Sequence, residues 1–202
     1  MAPVPYRILF VRHGETDYNA TGRLQGQRDI PLNRRGRAQA SAIGRALAKA
    51  MPDAIAALEA ADAFIASPLI RTRQTMELAR AALGLPPKRY ALDPALKELT
   101  FGEWEGLTWP QVERRDPAAA RAREADKWNF APPDGESYAT LAERLQPWLD
   151  SRAADCFVVS HGGVARALMT LIAGVSPSAA ENADIWQGRA ILFDKGGLSW
   201  IG

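Results

Sequence analysis

The sequence predicts an α/β fold: a three-layer α/β/α sandwich with a mostly parallel central sheet. Three short, continuous apolar runs, at residues 8–11, 63–66 and 157–159, predict buried strands. Strands that are covered on both faces have this pattern because neither face meets water. Each run is followed by a segment of helical character, and strands that alternate with helices indicate a parallel sheet.

The first helices are predicted in chain order after these strands. A polar loop over residues 15–33 leads to a helix at residues 34–50, and we expect Asn33 to cap it. The second strand ends at Ser67 and Pro68. We expect Ser67 to cap the next helix, with Pro68 at the first helical position.

The last third of the chain repeats the pattern. Ser137 begins a predicted helix, and another helix is predicted at residues 164–173, after the third strand. Two apolar runs at residues 190–193 and 198–201 predict a terminal hairpin that turns at residues 195–197. The middle of the chain is less regular, and we interpret it as a helical excursion rather than a separate domain.

Composition excludes several classes of protein. Hydrophobic residues make up 47% of the 202 residues and charged residues 24%, as in an ordinary soluble globular protein. The net charge of +2 is too small for a charge-driven nucleic-acid binder. No apolar run reaches the ~18 residues of a membrane span, and residues 1–6 do not resemble a secretory signal. The single cysteine, Cys156, indicates a reducing compartment, so we expect a cytoplasmic protein.

The chain contains only two histidines, His13 and His161. Each follows a predicted buried strand and precedes a glycine, so both are expected at one edge of one sheet. That edge is where open α/β sheets bind ligands, and the glycines allow a ligand to approach the backbone closely. A single histidine in this context is more often structural, but the matching contexts of the only two favour a shared functional site.

Four ordered blocks carry a more specific signal. They read LFVRHGET at residues 9–16 with Asn19 after it, SPLIRTRQT at 67–75, LKELTFGEWEG at 96–106 and VVSHGG at 158–163. Together they resemble the histidine phosphatase superfamily, in its phosphoglycerate mutase-like branch. The blocks span most of the chain. The resemblance implies the fold predicted above and a phosphomonoester hydrolase that acts through a phosphohistidine intermediate.

Phosphoryl transfer needs a nucleophile, a cage of positive charge and a proton donor for the leaving group. The resemblance implies that His13 is the nucleophile, and nearby cations should keep its imidazole neutral by lowering its pKa. We expect its other ring nitrogen to contact a backbone carbonyl. Arg12 and Arg71 are the expected phosphate clamps, because a guanidinium presents a fork of donors to two phosphate oxygens.

The remaining phosphate contacts are also implied by the resemblance. His161 completes the cage, and its N–H can donate to a transferring oxygen. The other expected contacts with the phosphate or the leaving group are those of Asn19, Gln25, Gly26 and Gly162. Thr16 is equally interpretable as a structural hydroxyl, and no metal ion or other cofactor is expected.

Glu98 is the expected general acid and then base: it protonates the departing alkoxide and later takes a proton from water. A neighbouring dianionic phosphate favours the protonated carboxyl that the first step needs. Glu103 and Glu105 are close in sequence, and we expect both to be surface charges. Glu15 is expected to be structural and to pair with a neighbour.

Three alternatives stay open. A phosphoglycerate mutase uses the same core residues, but the short segment after Glu98 and the sequence Gln25-Gly26-Gln27 favour a phosphatase. A metal site formed by the two histidines and a carboxylate is disfavoured by the adjacent arginines. A non-catalytic binding protein on this fold would be expected to have lost at least one catalytic residue.

The expected partner is a small phosphate ester, such as α-ribazole phosphate, a sugar bisphosphate or a wider set of esters, and neither a nucleic acid nor a membrane. The sequence leaves a homodimer open. We expect one domain over residues 1–202, with the helical excursion at about 105–136 covering the active site.

Overall fold

The computed structural model describes residues 5–194 and 196–201, and the structural statements below concern these residues. Their strands form one sheet in the order β3-β2-β4-β1-β5-β6. β1 to β4 are parallel where they pair, whereas β5 runs antiparallel to β1 and β6 antiparallel to β5. The strands are β1 Ile8–Arg12, β2 Phe64–Ala66, β3 Ala91–Leu92, β4 Cys156–Ser160, β5 Ala190–Asp194 and β6 Gly197–Ile201.

Helices cover both faces of this sheet, which confirms the predicted sandwich. They are α1 Asp17–Ala20, α2 Arg34–Ala50, α3 Pro52–Ala60, α4 Ile70–Ala82, α5 Trp109–Arg115, α6 Pro117–Ala125, α7 Tyr138–Asp150, α8 Gly162–Leu171 and α9 Pro177–Ala180. Short 3-10 turns lie at Pro94–Leu96 and Gly102–Trp104. No helix among the described residues is both long and apolar enough to cross a membrane.

Alternate residues of each central strand enter two separate cores. Phe10 and Val158 pack with the buried faces of α7 and α8. Leu9 and Phe157 point to the other side, where they pack with α2, α3 and α4. Each fully buried side chain of this size contributes about 1.5–3 kcal/mol. The two cores therefore fix the sheet between its helical layers and make its strand ends a rigid edge.

The middle segment builds a small core of its own. Trp104 is fully buried with Val112 and Ala120. Its indole nitrogen donates to the Asp116 carboxylate at 2.8 Å, and its ring stacks on Phe130 at 5.6 Å. The segment is helical, as expected from the sequence, whereas its role as a cover for the active site stays a prediction.

Of the helix starts predicted at Asn33, Ser67 and Ser137, two are right and one is wrong. Asn33 caps α2 by accepting from the Gly36 N–H at 2.8 Å, and Ser137 caps α7. Ser67 does not cap α4, which begins at Ile70 with Leu69 as its N-cap residue. The chain stays extended beyond β2 because the Ser67 N–H donates to the carbonyl of Val159 on β4.

Other differences lie at the edges of the fold. The sequence missed β3, a two-residue edge strand whose side chains are exposed and therefore lack an apolar pattern. Helix α8 begins at Gly162, two residues before the predicted start. The terminal hairpin is present as β5 and β6. Lys195 in its predicted turn, and residues 1–4 of the segment tested for a secretory signal, lie outside the described residues.

Candidate active site

The site lies where three neighbouring parallel strands end. His13 follows β1, His161 follows β4 and Ser67 follows β2. β1 and β4 are in register with Arg12 opposite Ser160, and the His13 N–H donates to the Ser160 carbonyl at 2.9 Å. This register brings the two imidazole rings to a centroid distance of 5.3 Å. Both histidines are buried.

One nitrogen of the His13 ring is used for orientation. Nδ1 lies 2.7 Å from the Gly14 carbonyl oxygen. That oxygen can only accept, so Nδ1 carries the proton and Nε2 keeps its lone pair in the neutral ring. The Gly14 N–H donates to the Thr75 hydroxyl at 3.0 Å, which anchors this turn to α4. The expected backbone contact of His13 is therefore present.

The surroundings of His13 keep its ring neutral. Burial lowers its pKa well below the ordinary value of 6.5, and the positive charges of Arg71 and Arg12 lower it further. The sequence predicted the effect of the arginines but not the larger effect of burial. A neutral ring with Nδ1 protonated presents its nucleophilic lone pair at Nε2.

Arg71 reaches this lone pair from the first turn of α4. Its Nε atom donates to His13 Nε2 at 3.2 Å. Its two terminal nitrogens donate to the carbonyl oxygens of Gly26 and Arg28, each at 2.7 Å. Burial lowers the pKa of Arg71 to about 10, so the guanidinium stays charged at neutral pH. A phosphoryl group at Nε2 would take over the donor that now contacts this nitrogen.

Arg12 has a donor that the protein leaves unused. Its Nη1 atom donates to the Ile185 carbonyl at 2.8 Å. Its Nε atom is buried and has no hydrogen-bond partner among the described residues. A buried guanidinium N–H without an acceptor costs free energy, and this one lies in the wall of the cleft that contains His13. It is therefore suited to an anionic oxygen in that cleft.

His161 is paired on one side of its ring. Its Nε2 atom lies 2.8 Å from the Ser67 hydroxyl, while Nδ1 is buried without a partner among the described residues. Burial lowers the pKa of His161 well below 6.5, with Arg71, His13 and Arg12 acting in the same direction. The ring is therefore neutral, and only one of its nitrogens can donate. The sequence missed Ser67 because it was interpreted as a helix cap.

Glu98 lies beside the start of α8. One carboxylate oxygen accepts from the Gly163 N–H and the other from the Leu99 N–H, each at 3.0 Å. A side chain at position 163 would overlap the Glu98 carboxylate, so only glycine permits this approach. Arg144 stabilises the preceding loop through the carbonyl oxygens of Ala95 and Lys97.

The expectation of surface charge is right for Glu103 and wrong for Glu105. The Glu103 side chain is 49% exposed and pairs with Arg115, whereas that of Glu105 is 12% exposed. Glu105 Oε1 accepts from the Gln27 N–H at 2.9 Å and from the Thr100 hydroxyl at 2.8 Å. It thereby joins the loop around Gly26 to the loop after Glu98, a contact between distant segments that sequence spacing does not show.

Asn19 is oriented by several donors. Its carbonyl oxygen accepts from the Thr16 N–H at 3.1 Å and from the Gln187 amide at 3.0 Å. With its oxygen held in this way, its NH₂ group is the part left for a ligand. Thr16 is structural, since it caps α1. Glu15 accepts from the Asn33 side chain at 2.9 Å, as the expected pairing requires.

A cleft of about 160 Å³ connects these groups. Its lining includes all the catalytic and phosphate-binding residues expected from the sequence except His161. The structure adds Tyr138 and Arg166, which the sequence analysis did not single out. Arg166 is recognisable in retrospect because it lies one helical turn after Gly162 on α8. The cleft is lined by Arg12, His13, Asn19, Gln25, Gly26, Arg71, Glu98, Gly162 and their neighbours.

A second cavity of about 300 Å³ lies at the opposite edge of the sheet. Its wall includes Leu9, Met51, Leu58 and Cys156 and is mostly apolar. Burial raises the pKa of the Cys156 thiol to about 12, so it is not a reactive thiolate. Within the described residues, no three His, Cys, Asp or Glu side chains are grouped so that they could hold a metal ion.

Comparisons with known proteins agree with this geometry. The family model described as "Histidine phosphatase superfamily (branch 1)" matches residues 8–193. The chain is 32% identical over 208 residues to a glucosyl-3-phosphoglycerate phosphatase of Mycolicibacterium vanbaalenii, covering 96% of this chain and 82% of that one. It is 34% identical over 175 residues to a metal-independent phosphoserine phosphatase of Arabidopsis thaliana, covering 84% and 69%. The crystal structure of TTHB049 from Thermus thermophilus matches with a TM-score of 0.74 and 30% identity, covering 97% and 99%.

We predict that the free energy of unfolding falls when the pH is lowered from about 7.5 to about 5.5. His13 and His161 are the only histidines in the sequence, and their pKa values in the folded chain lie well below 6.5. Below pH 6.5 the unfolded chain therefore binds protons that the folded chain does not. The expected loss at the lower pH is about 1 kcal/mol for each histidine.

Urea unfolding in phosphate-free buffer at the two pH values measures this loss. The variants His13→Gln and His161→Gln each remove one titrating group, so each should show about half of the wild-type pH effect. Equal wild-type stability at both pH values would contradict the assignment of two buried neutral histidines.

Proposed function

Because the chain belongs to the histidine phosphatase superfamily, we propose that it performs its reaction with His13 as the nucleophile. The protein is a metal-independent phosphomonoester hydrolase that acts on a small phosphorylated metabolite, as the motifs predicted. The observation that carries the proposed mechanism is the protonation of His13. Its Nδ1 atom is committed to the Gly14 carbonyl, which directs the Nε2 lone pair toward a phosphorus atom held by Arg12 and Arg71.

The reaction has two steps on this geometry. In the first, His13 Nε2 forms a bond to phosphorus, the ester P–O bond breaks, and the Glu98 carboxyl gives its proton to the departing oxygen. In the second, Glu98 takes a proton from a water molecule as that water forms a bond to phosphorus. The N–P bond then breaks, which releases inorganic phosphate and restores the neutral imidazole.

The phosphoryl oxygens are held by donors that are fixed before the reaction. Arg71 supplies a guanidinium already oriented by two carbonyl oxygens, and Arg12 supplies the buried Nε–H that has no acceptor among the described residues. Asn19 supplies its amide N–H groups and Gly162 a close approach to the backbone. Fixed donors of this kind stabilise charge in a transition state without reorganising.

His161 donates to a phosphoryl oxygen only if its proton lies on Nδ1. Ser67 stabilises that tautomer of His161, because its hydroxyl lies 2.8 Å from Nε2 and can donate a hydrogen bond to it. The opposite tautomer would present a lone pair of Nδ1 to an anionic oxygen. Ser67 is thus a positioning residue that acts through His161.

Hydrolysis is favoured over a mutase reaction by the middle segment. Arg114 and Arg115 are exposed, and Arg115 forms an ion pair with Glu103 on the surface. The relatives named above act on different phosphate esters, so sequence similarity to them does not identify the substrate of this protein. The absence of a nucleic-acid or membrane partner, the cytoplasmic location and a homodimer remain predictions.

His13→Ala is expected to lower the rate of phosphomonoester hydrolysis by about a thousandfold or more, because the covalent step is lost. The wild-type rate is expected to be the same with and without EDTA. Rapid acid-free quenching of wild type with labelled substrate should trap an acid-labile, alkali-stable phosphoenzyme that the variant lacks. Full activity in the variant would reject His13 as the nucleophile, and conversion of 3-phosphoglycerate without phosphate release would favour the mutase.

Glu98→Gln is expected to slow the first step in a way that depends on the leaving group. An alkoxide needs a proton as it departs, whereas p-nitrophenolate does not. Single-turnover phosphorylation of the enzyme should therefore slow by about 100-fold or more with glycerol 3-phosphate but by about tenfold or less with p-nitrophenyl phosphate. The matched control is Glu103→Gln, an exposed carboxylate. Equal slowing with both esters would contradict the acid role.

Ser67→Ala is expected to reduce kcat by about tenfold, the effect of one hydrogen bond of about 1.4 kcal/mol. Nitrogen-15 NMR of histidine-labelled protein tests the cause directly, since His13→Gln assigns the signals of the two rings. Wild type should show a protonated Nδ1 on His161, and Ser67→Ala a mixture of tautomers. A wild-type spectrum with the proton on Nε2 would rule out this role of Ser67.

A further inference from the structure

Glu105 is a mostly buried carboxylate that has no part in the proposed reaction. Its Oε1 atom accepts three hydrogen bonds: from the Gln27 N–H at 2.9 Å, the Thr100 hydroxyl at 2.8 Å and the Phe101 N–H at 3.3 Å. Its other oxygen lies 3.9 Å from Arg28 Nε. Glu105 does not line the cleft itself. An effect of this residue on the reaction therefore acts through the groups that it holds.

One arm of this contact leads to Arg71. Glu105 holds residues 26–28, here called the clamp loop, at the N–H of Gln27. The first and last carbonyl oxygens of the clamp loop accept from the two terminal nitrogens of Arg71, each at 2.7 Å. The remaining nitrogen of the guanidinium, Nε, then donates to His13 Nε2 at 3.2 Å. The position of the clamp loop therefore sets the direction in which Arg71 faces the nucleophile.

Gly26 allows the carboxylate to reach the clamp loop. Its φ of +51° lies in the left-handed region, which glycine adopts without the steric cost that other residues meet. A Cβ atom at this position would overlap the Glu105 carboxylate. Glu105 therefore contacts the backbone of the clamp loop directly, with no side chain between them.

The second arm leads to Glu98. Residues 98–101, here called the acid loop, contain Thr100 and Phe101, which both donate to Glu105 Oε1. Gln27 connects the two loops as well, since its side-chain amide donates to the Glu98 backbone carbonyl at 3.1 Å. The loop that carries the proposed acid is thus tied to the loop that orients the phosphate clamp.

A carboxylate is well suited to this junction. Three donors converge on one oxygen, and hydrogen bonds to an ionised acceptor are stronger than those between neutral groups. Its charge also reaches the clamp: burial lowers the pKa of Arg71, and the negative charges of Glu98, Asp29 and Glu105 oppose this effect, in that order.

We propose that Glu105 is a positioning residue of the reaction, which fixes Arg71 and Glu98 relative to one another. Arg71 holds the phosphoryl group, and Glu98 must lie within reach of the ester oxygen of the same substrate. An error in the spacing of the two loops therefore slows the step in which the ester bond breaks. This inference rests on the proposed function, because it takes Arg71 and Glu98 to act on one ester.

Two variants of Glu105 separate position from charge. Glu105→Ala removes the shared acceptor, whereas Glu105→Gln keeps an oxygen that can accept the same three hydrogen bonds. With glycerol 3-phosphate, kcat is expected to fall by about 30-fold in Glu105→Ala and by about threefold or less in Glu105→Gln. Equal losses in the two variants, or a normal kcat in Glu105→Ala, would overturn the proposal.

Nitrogen-15 NMR of histidine-labelled protein observes the clamp arm without catalysis. The signal of His13 Nε2 reports the hydrogen bond that this atom accepts from Arg71. Glu105→Ala should move the signal toward that of a nitrogen without a donor, and Glu105→Gln should leave it near the wild-type position. A general loss of stability would not move this signal in the folded protein. An unchanged signal in Glu105→Ala would reject the clamp arm whether or not the enzyme is active.

Gln27→Ala tests the acid arm and does not depend on the folding of Glu105→Ala. It removes the amide that contacts the Glu98 carbonyl but keeps the N–H that donates to Glu105. Hydrolysis of glycerol 3-phosphate should slow by about tenfold, but that of p-nitrophenyl phosphate by about threefold or less, because p-nitrophenolate needs no proton. The His13 signal should not move. Equal slowing of the two esters, or none, would contradict the acid arm.

Glu103→Ala is the matched control. Glu103 lies in the same segment as Glu105, but its side chain is 49% exposed and pairs with Arg115 at the surface. Its removal should change neither the two rates nor the His13 signal. If wild type hydrolyses neither ester, the proposed function fails, whereas the His13 signal of the Glu105 variants still decides whether Glu105 positions Arg71.

Discussion

The site depends on the parallel pairing of β1 with β4. His13 and His161 are separated by most of the chain, and only the register that sets Arg12 opposite Ser160 brings their rings to 5.3 Å. A slip of one residue would turn each side chain to the other face of the sheet. It would also move Phe10 and Val158 out of the core under α7 and α8. The hydrophobic cores that stabilise the fold therefore also enforce the distance on which the chemistry depends.

Burial at this edge works against stability and in favour of reactivity. Two neutral histidines and two guanidiniums lie in a low-dielectric wall, where desolvation is the largest cause of the lowered pKa values of His13 and His161. The same desolvation strengthens the attraction between the guanidiniums and any anionic group that enters the cleft. The buried Nε–H of Arg12 shows both effects. Without an acceptor it lowers the stability of the folded chain, and it forms a favourable hydrogen bond when an anionic oxygen reaches it.

The sequence predicts the buried strands and the residues that follow them, but not the contacts between distant segments. Strands such as β1 show themselves through continuous apolar runs, and His13 and Arg12 are visible because they follow such a run directly. Contacts between distant loops leave no comparable pattern. Ser67 has the sequence context of a helix cap, yet its hydroxyl contacts His161. Glu105 has the sequence context of a surface charge, yet it binds the loop around Gly26. In both cases a tertiary contact overrides a local preference that was correctly recognised.

The proposed catalytic groups and the middle segment are held by different hydrophobic cores. Glu98 lies in the loop between the two 3-10 turns, whereas the other proposed catalytic groups lie at strand ends and at the starts of α4 and α8. Arg123 lies on α6 and Lys127 in the turn after it, in the segment that builds a separate small core around Trp104. Neither of these two side chains is part of the cleft wall. Arg166 lines the cleft from α8, the helix that also presents Gly162 and Gly163. Its side chain therefore reaches the cleft from the same strand-end edge that carries the proposed catalytic groups.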